Sequence, residues 1–370
     1  MPLGWLAASG IESLSPLKMA IETATIKRNP ADSMVSTWRQ DRSQWSFWHW
    51  MIELLGLHLI DLDGEVPVFS KKDKIPATRE WTLHLWILLH AAIPLVLHHA
   101  YTTYTGKNLG IFAAFGLYSS AFKLNGIHEM HIMRRLGQQY GFLDGDKHPR
   151  DEIPDVGVGK VIRELISTSS VRMIMAIYLT YRTNETPSSL EWKWLPLEIG
   201  LYSITVDFWF YWYHRMMHST GSLWKYHRRH HLTKHPNPLL SAYADHEQEF
   251  MDITGIPLLA YGTLKLMGLP MGFYGWWICF QYIAFSEFIG HSGLRLHGGA
   301  PSTFNWLLEI FDAELVIEDH DLHHRYGWRK SHNYGKQTRL WDRIFGTCHD
   351  RIESVKDNVD YENRVTMPLL

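Results

Sequence analysis

An all-α fold with several membrane-spanning helices is predicted by two features of the sequence. Long runs contain few or no charged side chains, and three groups of histidines have the spacing of helical neighbours. The 370 residues include 23 histidines, 17 tryptophans and 17 tyrosines, while the mean hydropathy is slightly negative. This composition is typical of a membrane protein that also has sizeable polar parts.

Three apolar runs are candidates for membrane-spanning helices. Residues 81–106 contain no Asp, Glu, Lys or Arg over 26 positions, and a spanning helix needs roughly 20 apolar residues. Residues 108–122 form a shorter uncharged run, which fits a buried helix of a soluble protein equally well. Residues 195–213 form the third run, in which Glu198 and Asp207 are the charged side chains.

A fourth apolar run is interrupted at its middle. Residues 253–290 carry only Lys265 and Glu287 as charges, and two glycines and a proline lie within residues 268–272. Glycine and proline at such a position are typical of a turn between two helices. We therefore expect a helical hairpin that crosses the bilayer or enters it deeply.

The order of these segments predicts the side on which the histidines lie. Two histidine groups directly follow residues 195–213, and the third follows the hairpin, which returns the chain to the side that it left. Residues 214–252 and the segment after residue 290 are basic, and basic loops stay in the cytosol. We expect all three groups to face the cytosol.

The charge balance and the cysteines exclude some classes of function. A formal net charge of −2 gives no support for a nucleic-acid partner. The two cysteines, Cys279 and Cys348, form neither a disulfide framework nor a paired-cysteine metal motif.

Three short motifs, HRMMH, HRRHH and HDLHH, carry eight histidines between positions 214 and 324. Spacings of three and four residues place the imidazoles of each motif on one helical face. Packed neutral imidazoles each need a partner and packed charged ones repel each other, whereas a metal ion accepts a lone pair from every neutral ring. The predicted metal ligands are His214, His218, His227, His230, His231, His320, His323 and His324.

The number of imidazoles narrows the choice of metal site. Eight nitrogens are too many for one four-coordinate zinc and fit two metal ions. Imidazole binds zinc, copper, iron and nickel. A redox pair near a membrane favours iron and dioxygen, and two zinc ions remain possible by ligand type alone.

With the segment NYGKQTRLWDRIFGT at residues 333–347, the three motifs resemble the fatty acid hydroxylase superfamily, which includes sterol desaturases and fatty acid hydroxylases. The resemblance covers about residues 195–349, under half of the chain. It implies an all-α, multi-span helical membrane bundle with a cytosolic, histidine-rich cap that holds two iron ions. It also makes His246 and His291 possible additional ligands, because relatives carry histidines at these positions.

The resemblance implies a membrane-bound non-haem di-iron oxygenase. Such an enzyme would hydroxylate a C–H position of a lipid-like substrate, such as a fatty acyl chain, a sterol or a related intermediate. It would use dioxygen and electrons from NAD(P)H. No cytochrome domain is visible, so a separate b-type cytochrome and its reductase would deliver the electrons, and we expect a location in the endoplasmic reticulum.

Two alternatives stay open. A desaturase on the same scaffold differs from a hydroxylase only by the fine geometry of the site. A non-catalytic or zinc-binding membrane protein is the alternative of another class, and a zinc hydrolase would want a general-base carboxylate and fewer histidines.

Beyond the metal ligands, no catalytic residue is predicted. Four acids near the motifs fit either partners that orient the imidazoles or solvated and capping carboxylates, namely Asp207, Glu249, Asp319 and Asp321. Three basic residues after the last motif are expected to form a solvated face near lipid headgroups, namely Arg325, Arg329 and Lys330.

The chain is expected to have four regions. Residues 1–80 have no assigned role, and their tryptophan-rich part at 38–60 fits either an interfacial segment or an ordinary packed helix. Residues 81–194 hold membrane spans and connections, residues 195–349 form the catalytic domain, and residues 350–370 form a polar C-terminal tail.

Overall fold

A computed structural model describes residues 29–61 and 64–370 and divides the chain into two compact units, Met1–Ser33 and Met34–Leu370. In the first unit, the described part contains a short 3₁₀-helical turn, Pro30–Asp32, and the Asn29 side chain accepts a hydrogen bond from the Ala31 N–H at 3.1 Å. The prediction for residues 1–80 falls partly on residues 1–28, which lie outside the described residues. The elements below all belong to the second unit.

The second unit is mostly helical. In chain order its α-helices are α1 (Phe47–Leu54), α2 (Glu80–Thr105), α3 (Ile111–Tyr140), α4 (Val158–Thr180), α5 (Leu195–Ser219), α6 (Gly221–His227), α7 (His246–Phe250), α8 (Ile256–Leu266), α9 (Phe273–Ser292), α10 (Asn305–Ile310), α11 (Ile317–Tyr326) and α12 (Leu340–Phe345). A π-helical turn, Met251–Gly255, joins α7 to α8. Two strands, β1 (Ile75–Thr78) and β2 (Val359–Val365), form a parallel pair.

Helix α9 is the central element of the bundle. It is apolar on all sides and nearly every one of its residues is buried, as expected for a helix with neighbours all round. It packs against α2, α3, α4, α5 and α11. Polar side chains fix two of these contacts: Trp277 donates a hydrogen bond to the carbonyl oxygen of Ala91 in α2 at 2.9 Å, and Asn125 of α3 donates one to Gln281 at 2.9 Å.

The helical hairpin predicted at residues 253–290 is present. Helix α8 ends at Leu266 and α9 begins at Phe273, and Gly268 in the turn between them has a φ of +87°, which favours glycine. Glu198 at the start of α5 accepts a hydrogen bond from the Met271 N–H in this turn at 2.6 Å. The starts of α5 and α9 therefore lie together, and the two helices run in the same direction.

Among the described residues, α2 is the one helix that is long and apolar enough to cross a membrane. It has 26 residues, and 44% of its most apolar window is buried inside the protein. Its outward face is aliphatic and exposed at Leu89, Ile93, Val96 and Leu97. The other predicted spans lie in α3, α5 and the α8–α9 hairpin, and membrane crossing by these helices stays a prediction.

The fold is mostly helical, and the sequence did not predict the small parallel strand pair that accompanies the helices. Ile75 of β1 lies opposite Val359 of β2, and Thr78 lies opposite Val365. Beyond β2, the Met367 N–H donates to the Thr82 hydroxyl at 3.0 Å. Within residues 350–370, predicted as a polar tail, β2 therefore pairs with β1 and Met367 contacts the start of α2.

Candidate metal centre

Nine buried histidines gather in two groups at the end of the bundle where α5 and α9 end. Within each group, one ring nitrogen of every residue lies within 4.8 Å of those of all the others. Each side chain is at most 5% exposed. Group one comprises His214, His218, His227, His231 and His323, and group two comprises His230, His291, His320 and His324.

The two groups share their helical motifs. The last turns of α5 supply His214 and His218 to group one, four residues apart on one face. In HRRHH, His227 and His231, four residues apart, belong to group one, and His230 belongs to group two. In HDLHH on α11 the assignment is the opposite. His320 and His324, four residues apart, belong to group two, and His323 belongs to group one. The groups are therefore neighbours, and the ring centroids of His231 and His324 are 5.0 Å apart.

His291 reaches group two from the last turn of α9. This helix ends at Gly293, whose φ of +59° is left-handed. A Cβ at this position would lie 2.1 Å from the Arg150 guanidinium, so only glycine leaves room for that side chain. Arg150 in turn pairs with Asp321 of α11 at 2.7 Å. This contact joins the end of α9 to the helix that carries the third motif.

Backbone carbonyl oxygens fix the tautomer of several rings in group one. The Nδ1 atoms of His214, His218 and His323 donate to the carbonyl oxygens of Tyr334 at 2.8 Å, Trp328 at 2.5 Å and His332 at 2.6 Å, respectively. A carbonyl oxygen can only accept, so the ring proton is on Nδ1 and the lone pair is on Nε2. These lone pairs point into group one.

Other partners hold His227 and two rings of group two. His227 Nδ1 donates to the side-chain oxygen of Gln248 at 2.9 Å. His291 Nδ1 donates to the Glu287 carbonyl oxygen at 2.8 Å, and His324 Nδ1 donates to that of Thr233 at 3.0 Å. The Nδ1 atoms of the remaining three rings are buried and have no hydrogen-bond partner within the described chain, namely those of His230, His231 and His320.

The Nε2 atoms of group one lie at the mutual distances that a shared metal ion requires. His214 and His227 are 2.9 Å apart, and His231 lies 3.0 Å from both His227 and His323. Nitrogens at about 2.1 Å from one ion and at right angles to each other are about 3.0 Å apart. In group two, His291 is 3.0 Å from His320 and 3.4 Å from His230. The all-imidazole donor set of both groups therefore fits a metal ion.

Burial keeps these rings neutral. Desolvation lowers the pKa of all nine imidazoles, and neighbouring rings lower the pKa of most of them further. The pKa falls to about 4 for His227 and for His291. At neutral pH each ring therefore offers a lone pair, which is the form that binds a metal.

His246, expected as a possible ligand, lies outside both groups. Its side chain is 80% exposed, and its Nδ1 lies 2.6 Å from a carboxylate oxygen of Glu164 in α4. Position in the sequence placed it near the motifs, but α7 directs the ring to the surface.

The acids near the motifs do not orient the imidazoles by direct hydrogen bonds in the described structure. Asp207 accepts hydrogen bonds from the backbone N–H groups of Lys336 and Gln337 at 2.7 and 2.9 Å, and so fixes the loop after Tyr334. Asp319 accepts a bond from the Val316 N–H at the start of α11. Backbone carbonyls and Gln248, which the sequence analysis missed, hold the rings instead.

The remaining two acids have other surroundings, and the prediction for Arg325 is wrong. Asp321 pairs with Arg325 at 2.6 Å, and the Arg325 side chain is only 3% exposed. Arg329 and Lys330 are exposed, as expected. Glu249 lines a cavity beside the metal centre. Arg325 can be buried because its counter-charge, Asp321, lies four residues earlier in α11, and this spacing places the two side chains next to each other.

That cavity encloses about 200 Å³ between α3, α4 and α9. Its lining is mainly apolar and includes Phe122, Ile127, Leu165 and Phe288. Glu287, whose carbonyl oxygen holds the His291 ring, also lines it. This part of the lining therefore lies about one helical turn from His291 of group two.

Comparisons with known proteins identify relatives of this chain. Residues 199–347, which include all nine histidines, match the family model described as fatty acid hydroxylase. The chain is 43% identical to fatty acid hydroxylase vlmA of Lecanicillium sp over 318 residues, which cover 82% of this chain and 87% of the relative. It is 28% identical to methylsterol monooxygenase 2-2 of Arabidopsis thaliana over 271 residues, which cover 70% and 94% of the two chains.

A further relative is named for a different activity. Very-long-chain aldehyde decarbonylase GL1-8 of Oryza sativa subsp. indica is 28% identical over 258 residues, which cover 67% of this chain and 88% of the relative. No solved structure matches the chain significantly.

Proposed function

Because the chain belongs to the fatty acid hydroxylase superfamily and is an oxidoreductase of the hydroxylase and oxygenase kind, we propose that it hydroxylates an unactivated C–H position of a lipid. The observation that carries this proposal is the convergence of nine neutral, buried imidazoles in two adjacent groups. The names of relatives that act on fatty acids and methylsterols support a lipid substrate.

Each group would hold one iron ion. The five histidines of group one would bind one ion and the four of group two the other, so that His291 joins the eight ligands predicted from the motifs and His246 does not. When bound, the two ions would supply the redox chemistry that activates dioxygen. The protein contributes neutral rings, held in place by Tyr334, Trp328 and His332 through their carbonyl oxygens.

The proposed reaction consumes one dioxygen, two electrons and two protons. One oxygen atom enters the C–H bond of the substrate and the other leaves as water. The electrons would come from NAD(P)H through a separate b-type cytochrome and its reductase. In desaturation, the alternative reaction, the same inputs remove two hydrogens from adjacent carbons and both oxygen atoms leave as water.

The apolar cavity is the proposed substrate site. Its aromatic and aliphatic walls match an alkyl chain or a ring system, and Glu287 in its lining lies one helical turn before His291 of group two. Helix α2 would anchor the chain in the endoplasmic reticulum membrane, with both histidine groups towards the cytosol. In this proposal, residues 195–349 remain the catalytic domain and residues 81–194 supply membrane helices and one wall of the cavity.

Product analysis tests the function. The full chain is expressed in a lipid-producing host under ¹⁸O₂, beside a His323→Ala variant at equal protein level. We expect a lipid that gains one ¹⁸O atom only with the unaltered chain. A product with a new double bond and no label would favour the desaturase, and turnover with bound zinc and no oxygen consumption would contradict the redox assignment.

A further inference from the structure

Arg172 of α4 is a buried cation that lines the cavity without a contacting counter-charge. The residue is 7% exposed. Within the described residues, no carboxylate oxygen lies within 4.0 Å of its guanidinium, and its Nε has no hydrogen-bond partner. Buried arginines are normally paired. The cavity therefore contains a positive charge whose fork of N–H donors is available to a ligand.

Two aromatic rings hold this guanidinium in place. Its Cζ atom lies 5.5 Å from the ring centroid of Phe122 and 5.6 Å from that of Phe280. Aromatic faces stabilise a cation without occupying its hydrogen-bond donors. Arg172 is thus positioned by packing and not by an ion pair that an incoming anion would have to displace.

The acids in the cavity wall do not fill this role. Burial raises the pKa of Glu129 and of Glu249 well above the ordinary value, which favours the neutral form of both acids. Glu287 is attracted by two cations, by Lys336, whose Nζ lies 3.8 Å from its Oε1, and at longer range by Arg172. Because Glu287 does not contact the guanidinium directly, the N–H donors of Arg172 remain available to a ligand carboxylate.

We propose that the cavity binds a lipid that ends in a carboxylate, such as a long-chain free fatty acid, and that the Arg172 guanidinium pairs with this carboxylate. The planar fork of arginine matches a carboxylate with two parallel hydrogen bonds. The alkyl chain occupies the apolar lining, which Ile127, Leu165 and Phe288 provide. The claim that this lipid is also oxidised rests on the proposed function.

Anchoring at Arg172 has a consequence for the position of oxidation. The carboxylate is fixed at one point of the cavity, and His291 of group two lies about one helical turn beyond Glu287 in the same helix. The carbon that reaches the metal centre is therefore set by its distance from the carboxyl end. Lengthening the chain at its methyl end leaves the oxidised position unchanged.

Binding is tested with palmitic acid and methyl palmitate on the purified full chain in detergent, at a pH where the acid is ionised. The acid should bind more tightly than the ester. In Arg172→Gln, affinity for the acid should fall by about 10- to 100-fold, as loss of a charge-assisted bond implies, while affinity for the ester should change less than about twofold. Arg163→Gln is the matched control, because Arg163 lies exposed on the same helix against Trp48. The ratio of acid to ester affinity cancels the partition of both lipids into micelles.

A second variant and a second readout keep the test decisive. If Arg172→Gln does not fold, Arg172→Lys keeps the charge without the fork and should retain only part of the preference for the acid. Equal binding of acid and ester by the unaltered chain, or equal weakening of both by either variant, would overturn the proposal. Products of C14, C16 and C18 acids should carry oxygen at one position counted from the carboxyl carbon, and a position constant from the methyl end would also overturn it.

Failure of this proposal and failure of the proposed function give different results. A neutral lipid that is hydroxylated equally well by the unaltered chain and by Arg172→Gln would leave the hydroxylase function intact and overturn the role of Arg172. Arg172-dependent binding of palmitic acid without any oxygenated product would keep the binding site and contradict the oxidation.

Discussion

The Nε2 atoms of His214 and His218 face each other at 3.3 Å, although a backbone carbonyl oxygen holds the proton of each ring on Nδ1. Neither Nε2 can donate, so two lone pairs meet in a buried site, which is unfavourable. A cation between them replaces repulsion with attraction. Metal binding should therefore contribute directly to the stability of the folded chain.

Metal content is the first prediction. The purified protein should hold close to two ions per chain, with iron as the active metal, because its imidazoles form two groups. Structural metal sites contribute on the order of 10 kcal/mol, and 1 kcal/mol moves the midpoint of thermal unfolding by about 2 °C in a large domain. Elemental analysis measures the ions, and a chelator should lower the midpoint by more than about 5 °C. One ion per chain would contradict the assignment.

Product formation by single histidine variants should distinguish metal ligands from histidines that do not bind metal. Replacement of any one proposed ligand by Ala should abolish product formation at equal protein level while the chain stays in the membrane. The residues concerned are His214, His218, His227, His230, His231, His291, His320, His323 and His324. Near-normal products from two or more of these variants would show that the ligand set is wrong.

Three other histidines serve as controls for that series. His246→Ala should retain both ions and the rate within about twofold, because its ring is exposed and its partner Glu164 keeps Lys160 at 3.7 Å. His332→Ala should also be tolerated, since its carbonyl oxygen, which holds His323, remains. His98→Ala should keep the metal but lower the midpoint of unfolding, because this ring is buried between Tyr118 and Asn108.

Gln248 should tune the metal centre without binding metal. Gln248→Leu removes the acceptor of the His227 Nδ1–H bond, and loss of such a partner typically costs 10- to 100-fold in metal affinity or activity. Gln248→Glu keeps an acceptor and should retain most of the affinity in an iron titration. Glu247→Gln, at the exposed neighbouring position, is the control. Equal affinities of the Leu variant and the control would remove Gln248 from the site.

Asp207 should be required for the loop that carries Tyr334. Asp207→Leu leaves the buried N–H groups of Lys336 and Gln337 without their acceptor, at about 1–3 kcal/mol each. Activity that survives heating should therefore be lost at a clearly lower temperature than in the unaltered chain. Asp207→Asn keeps one acceptor oxygen and should be affected less. An unchanged heating profile for the Leu variant would contradict this role.

A pair of arginine substitutions on α2 should distinguish lipid from water at its outer face. Val96 is 63% exposed at the middle of the apolar run, and Tyr104 is 93% exposed near its end. Val96→Arg should impair membrane insertion by about 3 kcal/mol, whereas Tyr104→Arg can extend to the interface and should be tolerated. Resistance to carbonate extraction measures both. Equal tolerance would mean that water covers this face.

Helical spacing predicted which imidazoles converge but not which of the two groups each imidazole belongs to. Spacing places His227, His230 and His231 on one face, while their assignment to two groups depends on where α5, α9 and α11 meet. His291 came from family resemblance alone. Its contact with His320 joins residues 29 positions apart, which no local pattern encodes.

Local sequence was misleading where a side chain found a distant partner. Asp207 precedes His214 on the same helical face, yet its oxygens bind the backbone of a loop 129 residues later. His246 is followed by acids in the sequence but contacts Glu164 of α4 instead. The long helices and the hairpin were predictable because apolar runs and turn residues are local, whereas the strand pair joins residues 75–78 to residues 359–365.

The sharing of HRRHH and HDLHH between both groups fixes the distance between the two centres. On α11, His320 and His323 belong to different groups but lie within one turn of the same helix, a rise of about 5 Å. Within these two motifs, the separation of the groups is therefore limited by the backbone spacing of a single segment. A shift of α11 against the bundle would therefore move His323 of group one and two histidines of group two together.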